Sequence, residues 1–139
     1  MHMLRRRRIL ASIALLVVLG CVYLRLLAPG WLLVLFGLAY IPLLCVHVFV
    51  HARYAATLPA NAVTPTTIML SHVSLLLAFL FQRDFTDTPY ALTPFTELLR
   101  LPAPSFHGGG SELVLNIGLF VPVCIVWVLI WQTAHTSSQ

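Results

Sequence analysis

The chain has 139 residues, 60% of them hydrophobic and 9% charged, with a mean hydropathy of +0.94. A soluble domain of this size cannot cover so much apolar surface with so little charge, so the natural solvent is lipid. The net charge of +4 comes from eight arginines, with no lysine, against four acidic residues. Arg5, Arg6, Arg7 and Arg8 stand just ahead of an apolar run, where they hold that end in the cytoplasm and touch anionic lipid rather than nucleic acid.

Residues 9–27 (ILASIALLVVLGCVYLRLL) form the first predicted span, nineteen residues or about 28 Å of helix. No small-x-small cleavage pattern follows cleanly, so this run reads as a retained helix and not a removed signal peptide. Arg25 near its end is expected to snorkel to the far headgroups. Pro29 and Gly30 break the helix, and Trp31 suits the interfacial belt.

A second span covers 32–50, with Pro42 expected to kink it. His51 and Arg53 mark its return to the cytoplasm. After a linker over 54–65, Thr64 and Pro65 read as an N-cap and first helical residue. They lead into a short third span, 66–81. A fourth span, 113–131, carries Pro122 in its middle, with Trp127 and Trp131 toward the inner interface or a partner helix. The expected fold is all-α: one domain, an integral membrane four-helix bundle with both termini cytoplasmic in the inner or plasma membrane. Cys21, Cys45 and Cys124 lie in apolar runs without a CxxC spacing and read as buried structural thiols.

The loop over 82–111 is the one sizeable non-spanning region. Within it, 94–101 reads as a short helix capped by Thr93, lying on the membrane surface or on the mouth of the bundle. The triple glycine at 108–110 follows no strand and lacks a lysine, so it is no phosphate loop.

Two groups of residues could carry chemistry. At the outer rim, Arg25, Arg83, Asp84, Asp87, Glu97, His107, Glu112 and Asn116 come within reach of one another. Glu112 and Asn116 share a helical face at i and i+4. Asn116, about one turn inside the apolar zone, needs a polar partner. Solvated rim charges account for the group. As a binding site it would be Arg83, Asp84, Asp87, Glu97, Glu112 and Asn116, taking a lipid or cell-wall headgroup through charge-assisted hydrogen bonds. In a continued helix Asp84 and Asp87 would flank one site.

At the inner side, His47 and His51 are i and i+4 on span two. The helical rise puts His47 and His72 at similar depth. Interhelical hydrogen bonds, helped by Ser71 and Ser74, are one account. A bis-histidine haem held by His47 and His72 is the alternative.

The segments YALTPFTELL (90–99) and LVLNIGLFVPVCIVW (113–127) resemble the VanZ-like family of small bacterial membrane proteins. Pro94 and Phe95 match its Pro-Phe segment and Arg83 the arginine before it. Asn116, Phe120 and Pro122 match its Asn-x-x-x-Phe-x-Pro helix. The likeness spans about 67–128. Val123 and Cys124 stand where that family has a glycine after the proline, and three spans precede the Pro-Phe segment rather than one. The resemblance implies a cell-envelope protein tied to glycopeptide resistance or surface lipid chemistry.

The expected function is a non-enzymatic membrane protein that binds a lipid or cell-wall ligand at its outer rim or serves as a small partner subunit. No cofactor is expected under it. An outer-face enzyme using Asp84, Asp87 or Glu112 on an amphiphile is a second class. Expected partners are membrane lipid and a membrane protein or second copy of the chain.

Overall fold

The computed structural model describes residues 2–58, 63–85, 91–102 and 110–136. Among these residues six α-helices follow in chain order: α1 His2–Leu27, α2 Trp31–Arg53, α3 Val63–Phe81, α4 Pro94–Leu99, α5 Gly110–Gly118 and α6 Val121–Thr136. A 3₁₀ turn, Ala55–Thr57, follows α2. Three stretches, Leu4–Leu27, Thr64–Phe81 and Val114–Thr136, are long and apolar enough to cross a membrane, and α2 adds the apolar run Gly37–Arg53. The protein is an all-α, multi-span membrane bundle.

The four spanning units form a ring. α1 packs against both α2 and α3, α3 packs against α6, and α6 returns to α2. This leaves α2 and α3 on one diagonal, meeting through side chains at the centre. Small residues let the backbones close up: Ala14, Cys21, Ala28 and Ala78 are buried where helices meet. Larger residues fill between them, with Phe79 against Tyr40 at 5.3 Å and edge-on to Phe120 at 5.5 Å between ring centroids. The outward face carries Leu16, Leu38, Met69, Val114 and Ile125, and Leu38 is 83% exposed. Such a surface is stable only when its solvent is apolar.

Several local expectations change. α1 begins at His2, so the four arginines lie inside the helix. α3 begins at Val63, placing Thr64 within the helix rather than at its cap. Pro42 falls inside α2, as expected, and the helix continues on both sides of it. The fourth span is not one helix: it divides between Gly118 and Val121. Pro122 lacks an N–H for the Gly118 carbonyl, and its ring crowds that carbonyl. The chain tightens there, with Phe120 N–H bonding to Ile117 O at 3.0 Å, before Cys124 N–H resumes the α pattern to Phe120 O at 3.0 Å.

Cys21 is buried as expected, but Cys45 and Cys124 are exposed. A thiol is apolar enough to face lipid, so burial inside the protein is not required of it. Ser74 donates to Leu70 O at 2.7 Å in its own helix and makes no link to another span.

After α3 the chain forms a two-residue antiparallel ladder, with Asp84 opposite Leu92 and Phe85 opposite Ala91. This ladder delivers Thr93 to the start of α4. Thr93 Oγ1 accepts from Thr96 N–H at 3.0 Å, and Thr96 Oγ1 accepts from Thr93 N–H at 3.2 Å, a reciprocal cap of two otherwise unpaired donors. Phe95 meets Phe81 at 5.0 Å, and α4 rests on α1 and α3 at the mouth of the bundle.

Candidate functional site

The two ends of the bundle present different chemistry. At the end where α3 exits, Arg25 is buried at 2% exposure and forms an ion pair with Asp84, itself 1% exposed. Arg25 Nη2 also donates to Ala28 O at 3.0 Å. Its Nη1 lies 3.5 Å from Gln82 O. The expected snorkelling of Arg25 is therefore corrected: the guanidinium turns inward, because a desolvated carboxylate and two carbonyls replace the water it gives up. The expected helix face shared by Asp84 and Asp87 is corrected too. α3 has ended by Phe81, and Asp84 sits in the ladder. Asp87 and His107 lie outside the described residues.

Asn116 finds its partner in backbone. Its Oδ1 accepts from Arg83 N–H at 2.9 Å and its Nδ2 donates to Arg83 O at 3.0 Å. One side-chain amide thereby satisfies both main-chain groups where α3 stops supplying them. Beside this pair lies a cavity of about 330 Å³, bounded by Phe81, Arg83, Thr93, Thr96, Leu115, Asn116 and Leu119. Of the six rim residues expected to bind a ligand, Arg83 and Asn116 line it. Asp84 faces Arg25 instead, Glu97 is exposed on α4, and the Glu112 side chain, like Asp87, lies outside the described set.

At the Arg5–Arg8 end, three histidines and a tryptophan fill the centre of the ring. His47 and His51 come from α2, His72 from α3 and Trp127 from α6. His47 and His51 are each 0% exposed and His72 is 8% exposed. His47 Nε2 lies 2.9 Å from His72 Nδ1. Trp127 Nε1 donates to His47 Nδ1 at 3.1 Å. His51 Nδ1 lies 2.8 Å from the His47 carbonyl. The His51 and His72 rings stack at 4.3 Å.

These contacts fix the protons. An indole nitrogen is only a donor, so His47 Nδ1 accepts and the neutral ring carries its proton on Nε2. That proton goes to His72 Nδ1, which leaves the His72 proton on Nε2. A carbonyl only accepts, so His51 donates from Nδ1 and keeps a lone pair on Nε2. Neither His51 Nε2 nor His72 Nε2 has a hydrogen-bond partner among the described residues. One ligand nitrogen from each histidine lies within 4.8 Å of the others, the one such group of potential metal ligands among the described residues.

No protein-family model, curated protein or solved structure matches the chain. The site has to be read from its own geometry. The sequence pairs His47 with His72 by depth, and the structure brings these two together. Sequence reasoning sets His51 beside His47 without making it a ligand, and leaves Trp127 out of the cluster. The i, i+4 spacing of His47 and His51 is the available signal for the first. For Trp127 there is none, because its angular position depends on how α6 continues past the break at Pro122.

Proposed function

We propose that this multi-span membrane protein holds a divalent transition-metal ion in the His47, His51 and His72 cluster. The reading is carried by three buried imidazoles whose ligand atoms lie within 4.8 Å of one another, at the centre of an otherwise apolar bundle. Imidazole suits zinc, copper, nickel and iron. On one tetrahedral ion at about 2.0–2.1 Å per bond, nitrogens stand about 3.3 Å apart, a spacing that small side-chain shifts reach from ligand atoms lying within 4.8 Å of one another. His51 has the arrangement of a metal ligand already: it donates one ring N–H to a carbonyl and presents the other nitrogen. A porphyrin between His47 and His72 needs their nitrogens on opposite sides of the iron, about 4 Å apart; here those nitrogens are hydrogen-bonded to each other at 2.9 Å, which leaves no room for one.

The test is metal retention. Protein purified in nanodiscs, stripped with a chelator and dialysed against Co²⁺, should keep a single ion per chain and show the visible bands of nitrogen-ligated cobalt. Retention and bands unchanged in a His51→Phe variant would overturn the reading.

A second reading concerns the opposite end, where the cavity beside Arg83 and Asn116 favours an amphiphilic ligand. Phe81, Leu115 and Leu119 give it apolar walls and Arg83 a positive one, which suits a membrane lipid or lipid-linked cell-wall molecule with an anionic head. Asp84 then serves as support through Arg25 rather than as an acid or base, which weighs against the enzymatic alternative. The arginine bias supports cytoplasmic termini and an outer-facing cavity in a bacterial-type inner membrane. Leu119→Trp, which fills the cavity, should remove a co-purifying lipid detected by native mass spectrometry. An unchanged lipid complement would sink this reading.

A further inference from the structure

We infer that metal binding at His51 and His72 breaks the Trp127–His47 hydrogen bond, so that α6 senses the occupancy of the site. The inference rests on the metal reading above, narrows the ligands of that cluster to His51 and His72 with His47 as their support, and adds a readout.

As folded, the cluster offers an ion one lone pair pointing away from the network, on His51 Nε2. The His72 Nε2 position carries a proton, because His72 Nδ1 is the acceptor for His47. For His72 to join His51 as a ligand through Nε2, its proton must sit on Nδ1. His72 Nδ1–H then donates to His47 Nε2, and the His47 proton moves to Nδ1. Each ring keeps one proton throughout, so the rearrangement is a pair of tautomer shifts with no net gain or loss.

The cost falls on Trp127. Its Nε1–H, 3.1 Å from His47 Nδ1, now faces another N–H. Two donors cannot share that contact, and the indole has no acceptor role to switch to. It must turn away or shift with its helix. His47 is therefore a positioning residue that couples ligand to α6, and His51 and His72 are the ligands. α6 is the element able to respond: it begins afresh at Val121 after the break, and it packs on α3 and α2, the two helices that carry the histidines.

The experiment uses full-length protein in nanodiscs with Trp31→Phe and Trp131→Phe, so that Trp127 is the remaining indole. Zn²⁺ is titrated while bound zinc is measured by equilibrium dialysis and the Trp127 indole N–H resonance is followed by NMR. Zinc uptake should move that resonance away from its hydrogen-bonded position in step with occupancy. Zinc bound with the resonance unmoved overturns the coupling and leaves the metal reading standing. No zinc bound overturns both.

A second arm removes the donor while keeping an aromatic ring at the position. Trp127→Phe should bind Zn²⁺ roughly 2- to 10-fold more tightly, the equivalent of one hydrogen bond that no longer has to be broken. Equal or weaker binding by that variant contradicts the coupling.

Discussion

Asn116 on α5 holds both main-chain groups of Arg83 through its side-chain amide, at 2.9 and 3.0 Å. The pair fastens the exit of α3 to the helix that opens the fourth span. Asn116→Leu removes both hydrogen bonds from this half-buried N–H and C=O, and should cost about 1–3 kcal/mol. Thermal unfolding in detergent checks this, with Asn116→Gln as the control that keeps the amide but displaces it.

The Arg25–Asp84 pair predicts a strongly non-additive cycle. Removing either charge alone, as Arg25→Met or Asp84→Leu, strands a buried ion and should destabilise by roughly 3–5 kcal/mol. The double variant should recover much of that loss, because no charge is left unpaired. Chemical denaturation of the four proteins gives the coupling energy directly. Additive losses would mean the two charges do not act as a pair.

Among the histidines, ligand and support should separate. His51→Phe and His72→Phe each remove a ligand nitrogen, and should weaken metal binding more than about 100-fold, beyond the range seen for outer partners of ligands. His47→Gln should cost less affinity, roughly 10- to 100-fold, since it disturbs the orientation of His72 rather than the ion itself. Isothermal titration with Zn²⁺ distinguishes the two classes.

Metal retention should fall as pH falls. An imidazole ligates through a neutral nitrogen, so protons compete with the ion for the same lone pairs. Occupancy is therefore highest at neutral and alkaline pH, and its steepest loss should approach two protons taken up per ion released. Bound Co²⁺ followed by its visible spectrum from pH 8 downward measures both.

Leu38, 83% exposed on α2, reports the solvent outside the bundle. In lipid, Leu38→Arg should oppose insertion of α2 by roughly 3 kcal/mol or more. In water the same change would be close to neutral. A glycosylation-reporter assay of membrane insertion reads the difference.

Much of the bundle is legible in the sequence because lipid imposes it. Long apolar runs must be helical, and their lengths follow the bilayer. The equal depth of His47 and His72 follows from helical rise alone. Rotation about the helix axes is not encoded so simply. Arg25 carries no sign that its partner is Asp84, 59 positions on, because that pairing depends on α1 lying beside α3. Asn116 declares its need for a partner, but not that the partner is the backbone of Arg83. Trp127 joins the histidines only after Pro122 has reset the direction of the last helix.

The separation of Arg25 from Asp84 along the chain also sets an order of assembly. Arg25 is made before Asp84, so α1 and α2 must be accommodated while that guanidinium still leans on lipid headgroups or the translocation machinery. Arrival of α3 with Asp84 withdraws the charge from the membrane surface. The ion pair can thus form only once α3 and the residues just after it have been made. A chain truncated before Asp84 should stay bound to insertion factors rather than partition freely into the bilayer.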